Sequence, residues 1–240
     1  MNATILFRDG YYEVAGRLAP CAVFVPTEIE PRGPTPIGLF LHGTREKEGD
    51  VLAPTRVGLG PAIAEYPERF RLILAFPQCP KDKFWVDSDV QQGLRHLVDR
   101  ILNERGPNNG CIFVTGLSEG GSGALEFALR YPQKVAALAP MCPAVEDVFE
   151  NLPCYASLVG REKYVAARLK NIPIWLFHGD HDPRIEVSES RKLANVIGAT
   201  SHEGLHRYTE YPGVNHHECW ERAYRDPQFA SWVTSHGSAN

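Results

Sequence analysis

The stretch Thr115-Gly-Leu-Ser-Glu-Gly-Gly-Ser-Gly123 (TGLSEGGSG) places four glycines around two serines directly after the apolar run Cys111-Ile-Phe-Val114. A solvated surface turn is one reading of it. The other is a sharp strand-to-helix turn, Gly116-Leu117-Ser118-Glu119-Gly120, in which small neighbours let the chain bend and present a serine hydroxyl at the top of a sheet. The flanks decide between them. Upstream, residues 111–114 read as a buried strand. Downstream, Ala124, Phe127, Ala128 and Tyr131 recur at i, i+3, i+4 and i+7, Leu125 and Leu129 widen the stripe, and Pro132 ends it, which predicts a helix. A serine at such a junction also lies where free backbone N–H groups favour negative charge.

Apolar runs alternate with helical patterns through most of the chain. Strands are predicted at 22–25, 37–41, 72–76, 112–114, 135–138, 174–177 and 208–211, and helices near 89–104, 121–131, 187–197 and 226–235. The alternation implies an α/β protein with a mostly parallel sheet and helices on both faces, after an antiparallel start in the first 30 residues. With 240 residues, 43% of them hydrophobic, and no linker-like segment, the reading is one domain over 1–240.

Lys and Arg number 25 against 29 Asp and Glu, a net charge of -4, which argues against nucleic acid or an anionic membrane as partner. No run approaches 18 apolar residues and the N-terminal residues lack a signal-peptide pattern, so a cytoplasmic protein is expected. The six cysteines, Cys21, Cys79, Cys111, Cys142, Cys154 and Cys219, contain no C-x-x-C and read as free thiols, with a Cys142–Cys154 bridge left open.

In such sheets functional groups gather at the carboxyl ends of strands. After the strand at 37–41 come His42-Gly43-Thr44, and acyl transfer needs two backbone donors at the developing oxyanion, one of them beside the nucleophile. The N–H groups of Thr44 and Glu119 are the candidates. Following the strand at 174–177 is His178-Gly-Asp-His-Asp-Pro183, and near the end comes Tyr211-Pro-Gly-Val-Asn-His-His-Glu-Cys-Trp220. Ser118, Asp182 and His217 fit the order serine, acid, histidine. Metal binding is the rival for the His/Asp cluster, but H-E-x-x-H is absent and ligands on an extended loop alternate in direction. His42 and His178 read as hydrogen-bonded supports under the loops.

Together LFLHG (39–43), VGLGPAI (57–63), FPQCP (76–80) with Trp85, TGLSEGGSGALEFALRYP (115–132), IWLFHGDHDP (174–183) and YPGVNHHECW (211–220) resemble the α/β-hydrolase esterases related to polyhydroxybutyrate depolymerases and phospholipase-type carboxylesterases. The resemblance runs from about residue 10 to the end. It implies an α/β-hydrolase fold with a short cap, ester hydrolysis without a cofactor, Ser118 as nucleophile and Asp182 rather than Asp180 as acid. For the base it is ambiguous: counting back from Trp220 selects His217, counting forward from Tyr211 selects His216, and His217 is adopted because the tryptophan and the following helix set the frame. The chain departs from the family where Thr44-Arg-Glu-Lys-Glu48 replaces a glycine-rich loop, and where Glu119 stands in place of a common methionine. A carboxylate there either faces water or repels anionic esters and stabilises a protonated histidine.

Between about 139 and 173 the prolines and charges predict a thin cap and hence short soluble esters, with Phe84, Trp85, Tyr155 and Trp220 as apolar walls. Trp85 and Trp220 are the substrate-binding candidates. Peptidase and thioesterase chemistry, and a catalytically silent binding protein on the same fold, remain alternatives.

Overall fold

A computed structural model of the 240-residue chain describes residues 6–26, 35–105, 111–145, 160–199 and 204–237. Eight strands form one sheet: β1 (Leu6–Val14), β2 (Arg17–Val25), β3 (Ile37–Leu41), β4 (Ile73–Pro77), β5 (Ile112–Leu117), β6 (Val135–Met141), β7 (Ile174–Gly179) and β8 (His206–Tyr211). Their order is β1-β2-β4-β3-β5-β6-β7-β8. The β1/β2 hairpin and the β2/β4 pair are antiparallel, and every pair from β4 to β8 is parallel.

β3, β5 and β7 are buried along their whole length. That is why their sequences read as continuous apolar runs instead of alternating ones. One face of the sheet is covered by α2 (Ser88–Arg105), α3 (Glu119–Arg130), α4 (Glu162–Leu169) and α5 (Val187–Ile197), through Leu94, Leu97, Phe127, Val165 and Leu193. On the other face lie α1 (Leu59–Glu65), α6 (His216–Arg225) and α7 (Pro227–Gly237), through Ile63, Cys219, Tyr224, Phe229 and Trp232. Fully burying side chains of this size stabilises by roughly 1.5–3 kcal/mol each, so the two apolar layers hold the sheet rigid beneath the loops at its carboxyl edge.

Strand β1, α1, α4 and α6 extend the predicted set. The segment proposed as a cap lies only partly within the described residues: Pro153, Cys154 and Tyr155 fall outside them, and so does the Cys142–Cys154 bridge. Cys21, Cys79, Cys111, Cys142 and Cys219 are free thiols.

Candidate active site

Ser118 directly follows β5 and caps α3 with φ 55° and ψ −122°, a backbone that side-chain-bearing residues seldom adopt. Its N–H donates to the Met141 carbonyl at 2.9 Å, and its own carbonyl accepts from Gly121 at 2.9 Å and Ser122 at 3.2 Å, so the turn is pinned to β6 and to the first turn of α3. The glycines make this bend possible by close approach. A Cβ on Gly116 would collide with the Gly120 carbonyl, and one on Gly120 with the Leu41 carbonyl at the end of β3. The strain at Ser118, of order 1–3 kcal/mol, is held by this packing.

His216 Nε2 lies 2.9 Å from Ser118 Oγ, and His216 Nδ1 lies 2.5 Å from Asp182 Oδ2. With the carboxylate accepting from Nδ1–H, the free Nε2 lone pair accepts the serine proton. This corrects the sequence reading, which chose His217. The reason is the start of α6: Asn215 caps it, its side chain accepting from the Glu218 N–H at 3.1 Å in a capping box, so His216 is the first helical residue and faces the elbow. His217, one residue on, is turned to solvent. The two counts differ because one more residue separates this histidine from the tryptophan than the family resemblance implies. This spacing places Trp220 one helical turn after His216, with the rings edge-to-face at 4.9 Å.

Asp182 sits in the loop after β7. Its Oδ1 accepts from the Arg184 and Ile185 amides at 2.8 and 3.0 Å, and its Oδ2 lies 3.1 Å from His178 Nε2 besides His216. Burial alone would raise its pKa; the hydrogen bonds from His178 and His216 and the Ile185 amide outweigh that and hold the carboxyl far below its ordinary range. Asp180 instead binds His181 at 2.7 Å and the Gly213 amide at 2.6 Å, tying the acid loop to the β8–α6 connection without touching His216.

Cys142 Sγ, His178 and Asp182 bring potential metal-ligand atoms within 4.8 Å of one another. Two of the three groups are already engaged: both Asp182 oxygens as above, and His178 Nδ1 by Ser190 Oγ at 2.6 Å. The cluster orients the acid instead.

Thr44 opens a short 3-10 helix, Thr44–Lys47, and Glu119 opens α3. The N–H groups that begin a helix have no acceptor within it, which leaves both amides named from the sequence as candidate oxyanion donors. The glycine-poor oxyanion loop is held by a lattice of polar contacts. His42, fully buried, accepts the Cys79 N–H at Nε2 (3.0 Å) and donates from Nδ1 to the Gly43 carbonyl (2.6 Å); burial lowers its pKa to about 3. Gln78 Nε2 donates to the Glu46 carbonyl at 2.9 Å.

Glu119 faces neither water nor substrate. Its Oε1 lies 2.8 Å from Lys47 Nζ, with only 3% of the carboxylate side chain and 7% of the lysine exposed. Lys47 Nζ also donates to the Lys83 carbonyl at 2.7 Å and rests 4.1 Å from the centre of the Phe84 ring. Burial raises the Glu119 pKa, and the Lys47 charge and hydrogen bond pull it back. The pair therefore straps the last residue of the oxyanion loop to the first residue of α3. Sequence gave no sign of Lys47, because the partners are 72 positions apart and a charge in a loop is usually solvated.

Trp85 is a second correction. It is fully buried, its Nε1 donates to the His42 carbonyl at 2.9 Å, and its own carbonyl accepts from Gln91 Nε2 at 2.6 Å. It braces the oxyanion loop from below and does not line the cavity. That cavity, about 250 Å³, is bounded by Gly43, Thr44, Val57, Leu117, Ser118, His216 and Trp220, and is also lined by the exposed Arg45, Arg184 and His217 and the half-buried Glu46. Trp220 lines this cavity, as do Val57, Leu117 and both arginines, which sequence reasoning missed.

Residues 63–227, more than half the chain, match the family model described as "Putative esterase". The chain belongs to this esterase family. The esterase-family chain superposes on the crystal structure of a thermostable esterase with a TM-score of 0.76 at 26% identity, covering 95% of this chain and 62% of that one. It superposes on FphF, a fluorophosphonate-binding serine hydrolase of Staphylococcus aureus, with a TM-score of 0.71 at 16% identity, covering 98% of this chain and 99% of the other. The fold is the α/β-hydrolase fold of these serine esterases. In sequence it is 28% identical over 152 residues to an uncharacterized secreted protein of Arthroderma benhamiae, a stretch that is 55% of this chain and 16% of that relative's length. No helix among the described residues is long and apolar enough to cross a membrane.

Proposed function

We propose that this protein is a serine carboxylesterase acting on small, soluble, short-chain esters, with Ser118, His216 and Asp182 as its triad. The observation that carries the reading is the relay of 2.9 and 2.5 Å from Ser118 Oγ through His216 to Asp182 at a strained elbow. Ser118 Oγ attacks the ester carbonyl carbon while His216 Nε2 takes its proton. Asp182 holds the imidazole in the required tautomer and stabilises its cation, and the Thr44 and Glu119 amides receive the oxyanion. As the tetrahedral centre collapses, the ester C–O bond breaks and the alcohol leaves with the proton from His216. Water then attacks the acyl-serine by the same route. No step calls for a cofactor.

The cavity supports the short-chain reading: at about 250 Å³ it lies below the roughly 300–1,000 Å³ usual for drug-sized ligands, and Val57, Leu117 and Trp220 give it apolar walls. Free thiols at five described cysteines suit a reducing compartment such as the cytoplasm. The test is Ser118→Ala against a panel of aryl acetate to hexanoate esters, with matched thioesters and amides. Loss of about 10⁶ in kcat with an unchanged melting curve is expected. Retention of a tenth of the activity would exclude Ser118 as nucleophile, and faster amide or thioester turnover would move the reading to another acyl transfer.

A further inference from the structure

Resting on the esterase reading, we infer that the preferred substrate carries an anionic group, a carboxylate or comparable oxyanion a few bonds from the scissile carbonyl, and that Arg45 and Arg184 receive it. The two arginines come from opposite loops. Arg45 follows Thr44 in the oxyanion loop, and Arg184 lies two residues after the acid Asp182, yet both border the cavity that contains Ser118 and His216. Both side chains are exposed, and neither guanidinium lies within ion-pair distance of a carboxylate among the described residues. By contrast Arg17, Arg56, Arg95, Arg191 and Arg225 all have one.

Their backbones are fixed by the site itself. The Arg184 N–H donates to Asp182 Oδ1 at 2.8 Å, and Arg45 lies in the 3-10 helix that Lys47 straps to Glu119. The carboxylates nearby do not cancel them. Glu119 is buried, with its Oε1 paired to Lys47. Glu46, the one carboxylate among the lining residues, is turned toward its own loop and accepts from the Gly43 and Glu46 amides; burial raises its pKa and the Arg45 charge lowers it. His217, which also lines the cavity, adds no negative charge. A chain of net charge -4 thus holds, in the cavity of its nucleophile, two guanidiniums with no carboxylate partner among the described residues. The planar guanidinium fork matches a carboxylate or phosphate edge.

The experiment compares kcat/KM for matched esters, per site titrated with a fluorophosphonate so that misfolded protein does not count. Mono-4-nitrophenyl glutarate is set against 4-nitrophenyl valerate, placing the charge on the acyl side. The butyrate of 4-hydroxybenzoate is set against that of 4-hydroxybenzamide, placing it on the alcohol side. The expected result is an anionic-to-neutral ratio of roughly tenfold on one arm, cut about fivefold by Arg45→Gln or Arg184→Gln, inverted by Arg184→Glu, and reduced between about 20 mM and about 0.5 M salt. A ratio at or below one on both arms, or a ratio that neither substitution moves, overturns the inference while leaving the esterase reading intact. Failure to hydrolyse any of the four esters strikes the esterase reading instead.

Discussion

Replacing Glu119 by Gln tests the least expected feature of the site, the buried strap between the oxyanion loop and the elbow. The substitution keeps shape and volume but leaves the Lys47 ammonium, 7% exposed in its side chain, without a counter-charge. Removing one partner of a buried ion pair costs about 3–5 kcal/mol. The Lys83 carbonyl and the Phe84 ring still face the ammonium, so the lower end, about 3 kcal/mol, is expected, or about 6–12 °C in Tm for a chain of this size. Because Lys47 closes the 3-10 helix that begins at Thr44, the loosened loop also weakens one oxyanion donor. Outright loss of such a donor costs about 10²–10³ in kcat; a partial effect of about tenfold to a hundredfold is expected, with KM nearly unchanged.

The double variant Lys47→Met with Glu119→Met removes both charges, and replacing a buried pair by apolar side chains of similar volume is often neutral or stabilising. It should regain most of the lost stability and part of the lost kcat. Urea denaturation and steady-state kinetics on the parent, Lys47→Met, Glu119→Met and the double variant complete the cycle, with Glu119→Gln measured beside them. A Glu119→Gln protein within about 1 kcal/mol of the parent with unaltered kcat, or a double variant no more stable than Glu119→Gln, would refute the strap.

Three further outcomes are expected. Asp182→Asn should lower kcat by about 10⁴ by favouring the wrong imidazole tautomer, while Asp180→Asn, whose carboxylate does not meet His216, should stay within about tenfold; kcat measured side by side distinguishes them. His42, neutral and buried with its pKa lowered to about 3, binds fewer protons than the unfolded chain does below its ordinary 6.5. Its contribution to stability is therefore intact above that pH and is lost toward pH 3 with a limiting slope of about 1.4 kcal/mol per pH unit. The depressed Asp182 adds a loss of the same sign at the acid end, and urea midpoints across this range should fall less steeply in His42→Gln. Across acyl chain lengths, initial rates should peak between acetate and hexanoate and show no jump when an emulsion forms; a rate that rises into long chains would contradict the small cavity.

Sequence carried the central architecture well because β3, β5 and β7 are buried on both faces, so their apolar runs are continuous. The elbow was equally readable, since Gly116 and Gly120 are there for contacts that forbid a side chain. Strand β1 was not, because LFRDGYYEV at the sheet edge mixes charges and glycine into its pattern. Helix α6 was hidden within a polar motif. Missing its start at Asn215 put the candidate base one residue too far along, although the N-cap and Glu218 were both there to be read as a capping box. The burial of Trp85 and the Lys47–Glu119 pair depend on contacts between distant loops, which local pattern does not encode.

The most direct test of the central claim is covalent labelling with a fluorophosphonate, followed by mass spectrometry of the peptides, in the parent and in His216→Ala and His217→Ala. One adduct on Ser118 is expected in the parent and in His217→Ala at similar rates, and in His216→Ala a labelling rate lower by at least about 10². An adduct on any other residue, or a Ser118 adduct whose rate depends on His217 and not on His216, would contradict the account.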